Sequence, residues 1–171
     1  MTQKVSTLLI NGIVVTMDAN FTVYEDGAVA IEGDSIVAVG TTADVTSHYI
    51  ASEIVSCAGR VIMPGLVNAH THIPMTLLRG LADDLRLDVW LMGYMMPVER
   101  EFVSPEFVRL GTLLACAEQI RSGVTTFNDM YYFEEEVGRA ARELGIRAVI
   151  GETVVGSAAP DAPEPYGGIA R

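Results

Sequence analysis

Apolar residues in this chain keep two different rhythms, and the change between them falls near residue 62. Before it, short β-branched and aliphatic runs alternate with turn signals. Residues 5–17 predict two short strands broken at Asn11-Gly12, a dipeptide that favours tight turns. Residues 28–32 and 35–39 flank Gly33-Asp34 and predict a hairpin, and a further β segment lies around 53–62. No helix of any length is expected in this part. After it, the pattern becomes strand, helix, strand, helix, strand over residues 66–151. Ser104-Pro105-Glu106 combines a capping hydroxyl, a proline at the first helical position and an acid at the positive end of the helix dipole. That helix should reach Arg121 and stop at Ser122-Gly123. Val124–Asn128 predicts a buried strand, followed by a loop from Asp129 to Phe133, a helix from Glu134 to Leu144 ended by Gly145, and a strand over Ile146–Ile150. Such alternation implies parallel strands with right-handed crossovers. Residues 151–171, rich in proline, glycine and alanine, read as a loop.

The long connection over 73–103 breaks this regular spacing, and connections of that length usually have work to do. It holds Met75, Met92, Met95 and Met96 together with Trp90, the single tryptophan. Asp88 is placed to cap a short helix over 89–96, with Pro97 ending it. Methionines beside a tryptophan make an adaptable apolar wall suited to a flat or thioether-bearing ligand, or simply to packing that helix.

Composition narrows the function. Half of the 171 residues are apolar and 19% are charged, as expected for strands buried on both faces. A net charge of −11 argues against nucleic acid or an anionic membrane surface as partner. No apolar run is long enough to span a membrane, and the N-terminus lacks the plan of a signal peptide. Cys57 and Cys116 are isolated, so neither a disulfide framework nor a thiolate zinc cluster is indicated, and a reducing cytoplasm is expected.

His70-Thr71-His72 is the stretch with the clearest chemistry. It closes the run Val61-Ile-Met-Pro-Gly-Leu-Val-Asn-Ala-His-Thr-His72, whose Leu66 and Val67 read as a strand entered through Pro64-Gly65. Positions i and i+2 of a strand share a face, so two imidazoles would stand side by side. Imidazole suits zinc, and also iron or nickel. Ligands of parallel α/β sheets bind at the carboxyl ends of the strands, where His70 and His72, Asn128 and Asp129, and Glu152 and Thr153 all fall. Two nitrogens are still short of the three or four protein ligands a catalytic zinc needs. The remaining histidine, His48, sits among Thr46, Ser47 and Tyr49 and reads as a surface residue.

The Pro-Gly strand entry with His70-Thr71-His72, followed by Ser122-Gly-Val-Thr-Thr-Phe-Asn-Asp129, resembles the opening of the amidohydrolase superfamily. Leu78-Arg-Gly-Leu-Ala-Asp-Asp84, the Trp90-Leu-Met segment and Pro97-Val-Glu99 are most similar to its 5′-methylthioadenosine/S-adenosylhomocysteine deaminases. The resemblance implies an α/β fold: a metal-dependent (β/α)8 barrel whose first three strands occupy 63–171, preceded by part of a small β-sandwich over 1–62. It implies that His70 and His72 are metal ligands, that Glu99 binds the ribose hydroxyls of a purine nucleoside, and that Trp90 lines the thioether pocket. One divalent ion is implied, zinc first, with iron, nickel or manganese as alternatives. The third histidine ligand, a metal-binding aspartate and the proton-relaying groups would come from later strands, so no general acid or base is expected in this chain. Guanine deamination and triazine dechlorination are the alternative reactions within the same fold, and a non-catalytic subunit is the alternative outside it.

A (β/α)8 barrel takes about 250 residues, far more than 63–171 supply. Three strands would leave a raw sheet edge and an open apolar interior. The remainder is therefore expected as another chain or a cleaved fragment, with the complete enzyme a homo-oligomer; a stable, monodisperse 18.4 kDa species would argue against this.

Overall fold

The computed structural model describes residues 2–170, which divide into two units at Pro64/Gly65. The first is a mixed five-stranded sheet. Its strands are β1 (Gln3–Val15), β2 (Val23–Glu32), β3 (Ser35–Thr41), β4 (Tyr49–Ser56) and β5 (Val61–Ile62), and a short helix, α1 (Thr42–His48), lies between β3 and β4. The order is β3-β2-β1-β4, with β5 also paired to β1. Val5, Leu8, Ala28, Ala30 and Val45 form its core.

Two expectations are corrected here. Asn11-Gly12 does not turn the chain; it is an irregularity inside one continuous strand, with Asn11 at φ 62°. The N–H of Asn11 donates to Thr42 Oγ1 at 3.1 Å, which satisfies a group the ladder leaves over. The irregularity lies where β1 changes partner: β4 pairs with Gln3–Ile10, β5 with Ile13 and Val14. A Cβ on Gly12 would stand 2.8 Å from Ile62 and 2.9 Å from Cys57, so the crossover needs glycine. The first unit also contains a helix, α1. The Thr41 hydroxyl accepts from Asp44 N–H, a cap-plus-acid signature legible in Thr41-Thr-Ala-Asp44 but masked by β-branched neighbours.

The second unit is a three-stranded parallel sheet in the order β6-β7-β8, where β6 is Leu66–Thr71, β7 is Val124–Tyr131 and β8 is Arg147–Glu152. A 3-10 turn over Ile73–Leu78 follows β6 directly. After it come α2 (Leu87–Val89), a π-helical turn over Trp90–Met95, and α3 (Met96–Phe102). Then α4 (Pro105–Arg121) and α5 (Glu134–Leu144) separate the remaining strands. Both long helices begin and end where the sequence predicts: Ser104 Oγ accepts from Phe107 N–H, and Gly123 and Gly145 take φ of 81° and 73°.

Side chains alternate on β7. Phe127, Asp129 and Tyr131 are buried in the core with Val108, Ala115, Cys116, Val137 and Ala141 of the two helices, while Asn128 and Met130 are exposed on the other face. Val67 and Val149 are also exposed, at 66% and 62%, so apolar surface remains uncovered on the edge strands. Residues 129–131, expected in a loop, extend β7 because their backbone pairs in register with Ile150–Glu152. Gly151 and Glu152, expected in the loop, complete β8 by pairing with Met130 and Tyr131; the described residues after them are looped apart from an Ala159–Ala162 bridge and a final 3-10 turn.

Pro97 does not end the connecting helix. The N–H of Met96 reaches back to the Leu91 carbonyl, five residues earlier, and this wider turn accommodates a residue that has no N–H of its own. The chain then continues as α3 with Pro97 in its first turn. Asp88 does not cap the helix either; its carboxylate is held by Arg86 in a two-pronged pair. Among the described residues no helix is long and apolar enough to cross a membrane.

Candidate metal and substrate site

The site is built where β6 runs out. The strand ends at Thr71, and His72 turns the chain into the 3-10 segment, its carbonyl accepting from Met75 N–H at 2.9 Å. Gly111 of α4 makes that turn fit: a Cβ there would stand 2.5 Å from the Pro74 carbonyl oxygen. Asp129, buried on β7, clamps the same corner. Its Oδ1 accepts from Thr71 Oγ1 at 2.6 Å and from Ile73 N–H at 2.8 Å. Asn128 adds a bond from its Nδ2 to the Ala69 carbonyl at 3.2 Å. With Thr71 pinned to one side, the imidazoles of His70 and His72 come together on the other, ring centroids 5.1 Å apart and nearly perpendicular.

His72 Nδ1 lies 2.6 Å from the carbonyl oxygen of Met130. A carbonyl can only accept, so Nδ1 carries a proton, which in the neutral ring leaves the lone pair on Nε2. Histidine ligands of metals are characteristically oriented by this kind of outer bond. The paired imidazoles therefore fit a metal such as zinc as two nitrogen donors. Among the described residues no group of three or more His, Cys, Asp or Glu is arranged to hold an ion. His48 belongs to the other unit; it is exposed, its Nδ1 against Ser47 Oγ and the Asp44 carbonyl, as a surface histidine should be.

A cavity of about 280 Å³ opens beside His72. Trp90, Met75 and Met95 line it, as the apolar wall read from the sequence requires, whereas Met92 and Met96 do not. Met92 lies in the π-helical turn and is 66% exposed. Glu99 reaches the cavity from α3. Although it sits in the charged run Glu99-Arg100-Glu101, it is only 6% exposed, and Tyr131 Oη donates to its Oε1 at 2.9 Å. Burial raises the Glu99 pKa, and the Tyr131 bond opposes that rise. Burial and the adjacent carboxylate push the Tyr132 phenol up to about 12 and that of Tyr131 further still, so both stay neutral.

Tyr131 and Tyr132 were not legible as site residues. Only the alternation of β7, extended to Tyr131, would have placed one of them under the helices beside Asp129. A second set of acids lies behind the site. Burial and the neighbouring Asp129 push the Glu134 carboxyl up to about 9, and burial raises Asp129 as well. Burial, with Asp161 beside it, pushes Glu152 up to about 7; its Oε2 accepts from Glu134 N–H at 3.1 Å.

This fold and this histidine pair define the class. The amidohydrolase family model matches residues 61–164, and the chain belongs to the amidohydrolase family. A second match, to the imidazolonepropionase-like composite domain of bacteria, covers residues 27–49. Among curated proteins, the chain is 48% identical over 168 residues to a 5-methylthioadenosine/S-adenosylhomocysteine deaminase of Syntrophus aciditrophicus, covering 98% of this chain and 38% of that protein. It is 47% identical over 140 residues to a 5′-deoxyadenosine deaminase of Methanococcoides burtonii, covering 82% and 31%. Among solved structures, an adenosine deaminase from Xanthomonas campestris with bound zinc superposes with a TM-score of 0.94 at 41% identity, covering all of this chain and 39% of the other. The chain thus spans little more than a third of the length of the relatives it matches.

Proposed function

We propose that this chain supplies part of the active site of a hydrolytic deaminase that converts adenosine-type thioether nucleosides, 5′-methylthioadenosine or S-adenosylhomocysteine, to the inosine analogue and ammonia. The observation that carries the reading is the pair of imidazoles with His72 Nε2 left free, beside a cavity that also receives a buried carboxylate. The names and identities of the curated relatives support the substrate class.

In this reading His70 and His72 hold one divalent ion, zinc being favoured by the zinc-bound relative. Such an ion supplies Lewis acidity and a water activated near neutral pH. Glu99 accepts hydrogen bonds from the ribose hydroxyls, a charge-assisted contact made stronger by burial. Trp90, Met75 and Met95 exclude water and pack against the thioether side of the nucleoside. No side chain in the described cavity is assigned the proton transfers. We place those groups and the remaining metal donors on further strands of a (β/α)8 barrel, paired to the open edges of β6 and β8, with the sheet of the first unit as part of a β-sandwich domain. We place the assembled enzyme in a reducing cytoplasm, a reading that two buried free thiols support, and take it as a homo-oligomer.

The test is turnover of methylthioadenosine by the metal-loaded protein as the cell makes it, followed as loss of adenine absorbance. Conversion to the inosine analogue is expected. A fully metallated protein that converts none of the thioether nucleosides refutes the proposal.

A further inference from the structure

Among the described residues the Glu99 carboxylate is held by one other side chain. Tyr131 stands at the last position of β7, 3% exposed, with its ring against Tyr132 at 5.0 Å and 6.4 Å from the ring of His72. Its hydroxyl has one proton, and the Glu99 Oε1 at 2.9 Å receives it. Among the described residues this is the only hydrogen bond to that carboxylate. Glu99 comes from α3, a helix that follows a π-turn, whereas Tyr131 comes from the central strand. The bond therefore ties a carboxylate on the connecting segment to the central strand of the sheet, one residue from the carbonyl that orients His72.

We infer that Tyr131 is a positioning residue for substrate recognition: by occupying Oε1 it fixes the Glu99 carboxylate so that Oε2 alone is presented to a vicinal diol on the ligand. The inference rests on the proposed role of Glu99 as the sugar-binding acid, and deepens it. An unanchored glutamate has three rotatable bonds and loses affinity in ordering them; one pinned by a buried phenol is ordered before the nucleoside arrives. The phenol's hydrogen bond also opposes the rise that burial gives the Glu99 pKa.

The experiment is equilibrium binding of 5′-methylthioadenosine and of its 2′,3′-dideoxy analogue to the metal-loaded protein as the cell makes it, with turnover measured separately. Wild type should prefer the ribonucleoside, and Tyr131→Phe should cut that preference about tenfold, the worth of one buried bond to a charged group, while dideoxy binding is unchanged. In a Glu99→Ala background the same substitution should leave the preference where it is; a merely structural tyrosine would weaken both ligands in both backgrounds. Should Tyr131→Phe fail to fold, Glu99→Gln carries the test. A fixed Oε1 forces the amide oxygen onto Tyr131 and turns the NH2 to the sugar, so the preference should fall to that of Glu99→Ala. Retention of most of it by Glu99→Gln, or an undiminished preference in Tyr131→Phe, overturns the inference. Wild type lacking any preference overturns it together with the role of Glu99, whereas tight, selective binding without deamination removes only the reaction.

Discussion

His72 donates its Nδ1–H to the carbonyl oxygen of Met130 across 2.6 Å, so strand β7 orients the imidazole that follows the end of β6. The same stretch of β7 fixes the corner through Asp129, which accepts from both Thr71 and Ile73. Replacing Asp129 by alanine leaves the buried Ile73 N–H without its acceptor, while the Thr71 hydroxyl keeps the Asn128 carbonyl at 2.9 Å. The expected loss is about 1–3 kcal/mol of stability in denaturant unfolding. Metal affinity, read by competition with a chromophoric chelator, should fall roughly tenfold or more, the usual consequence of losing an outer orienting contact. Full affinity in the folded variant would show that the clamp has no part in the site.

Gly111→Ala probes that corner from the helix side. The new methyl group would meet the Pro74 backbone at 2.5 Å, and backbone cannot swing aside as a flexible side chain does. A destabilisation of about 1–3 kcal/mol is expected, measured as a shift in urea midpoint, with weaker metal retention as the turn after His72 is displaced.

Much of this arrangement was legible in the sequence, and the parts that were not have physical causes. The ends of α4 and α5 were readable because caps and terminal glycines act locally, within a turn. The adjacency of His70 and His72 was readable because strand periodicity is local too, even though His72 itself lies just past the strand. The continuity of β1 through Asn11-Gly12 was not, since a turn and a bulge use the same residues and only the neighbouring strands decide between them. Pro97 misled for a similar reason: whether a proline ends a helix depends on whether the preceding turn can widen. Tyr131 was invisible because its meaning comes from Glu99, thirty-two residues away in sequence.

The buried acids make stability depend on pH. Glu134, raised from 4.5 to about 9 by burial and by Asp129, is neutral in the folded protein where it would be ionised in the unfolded chain. The folded state then binds more protons, so its contribution is fully present below pH 4.5 and is lost as pH rises towards 9. Glu152, raised to about 7, acts in the same direction over the lower part of that range. Urea unfolding at pH 5 and pH 8.5 should show lower stability at the higher pH, and Glu134→Gln should flatten the difference. A stability that rises over this interval in wild type would contradict the assignment.

Trp90→Ala tests the apolar wall independently of the sugar contacts. Loss of the indole from the cavity should weaken methylthioadenosine binding about tenfold, with a smaller effect on adenosine, which has no thioether to bury. Equal losses for both ligands would move Trp90 away from the thioether side.

The most direct measurement of the central claim is metal content after exhaustive dialysis of the protein as the cell makes it, by mass spectrometry of the eluted ion. Wild type should retain about one divalent ion per active centre, and His70→Ala and His72→Ala should each lose it while keeping the fold. Retention of the ion by either folded variant would contradict the account, because the two imidazoles at the exit of β6 would then not be its ligands.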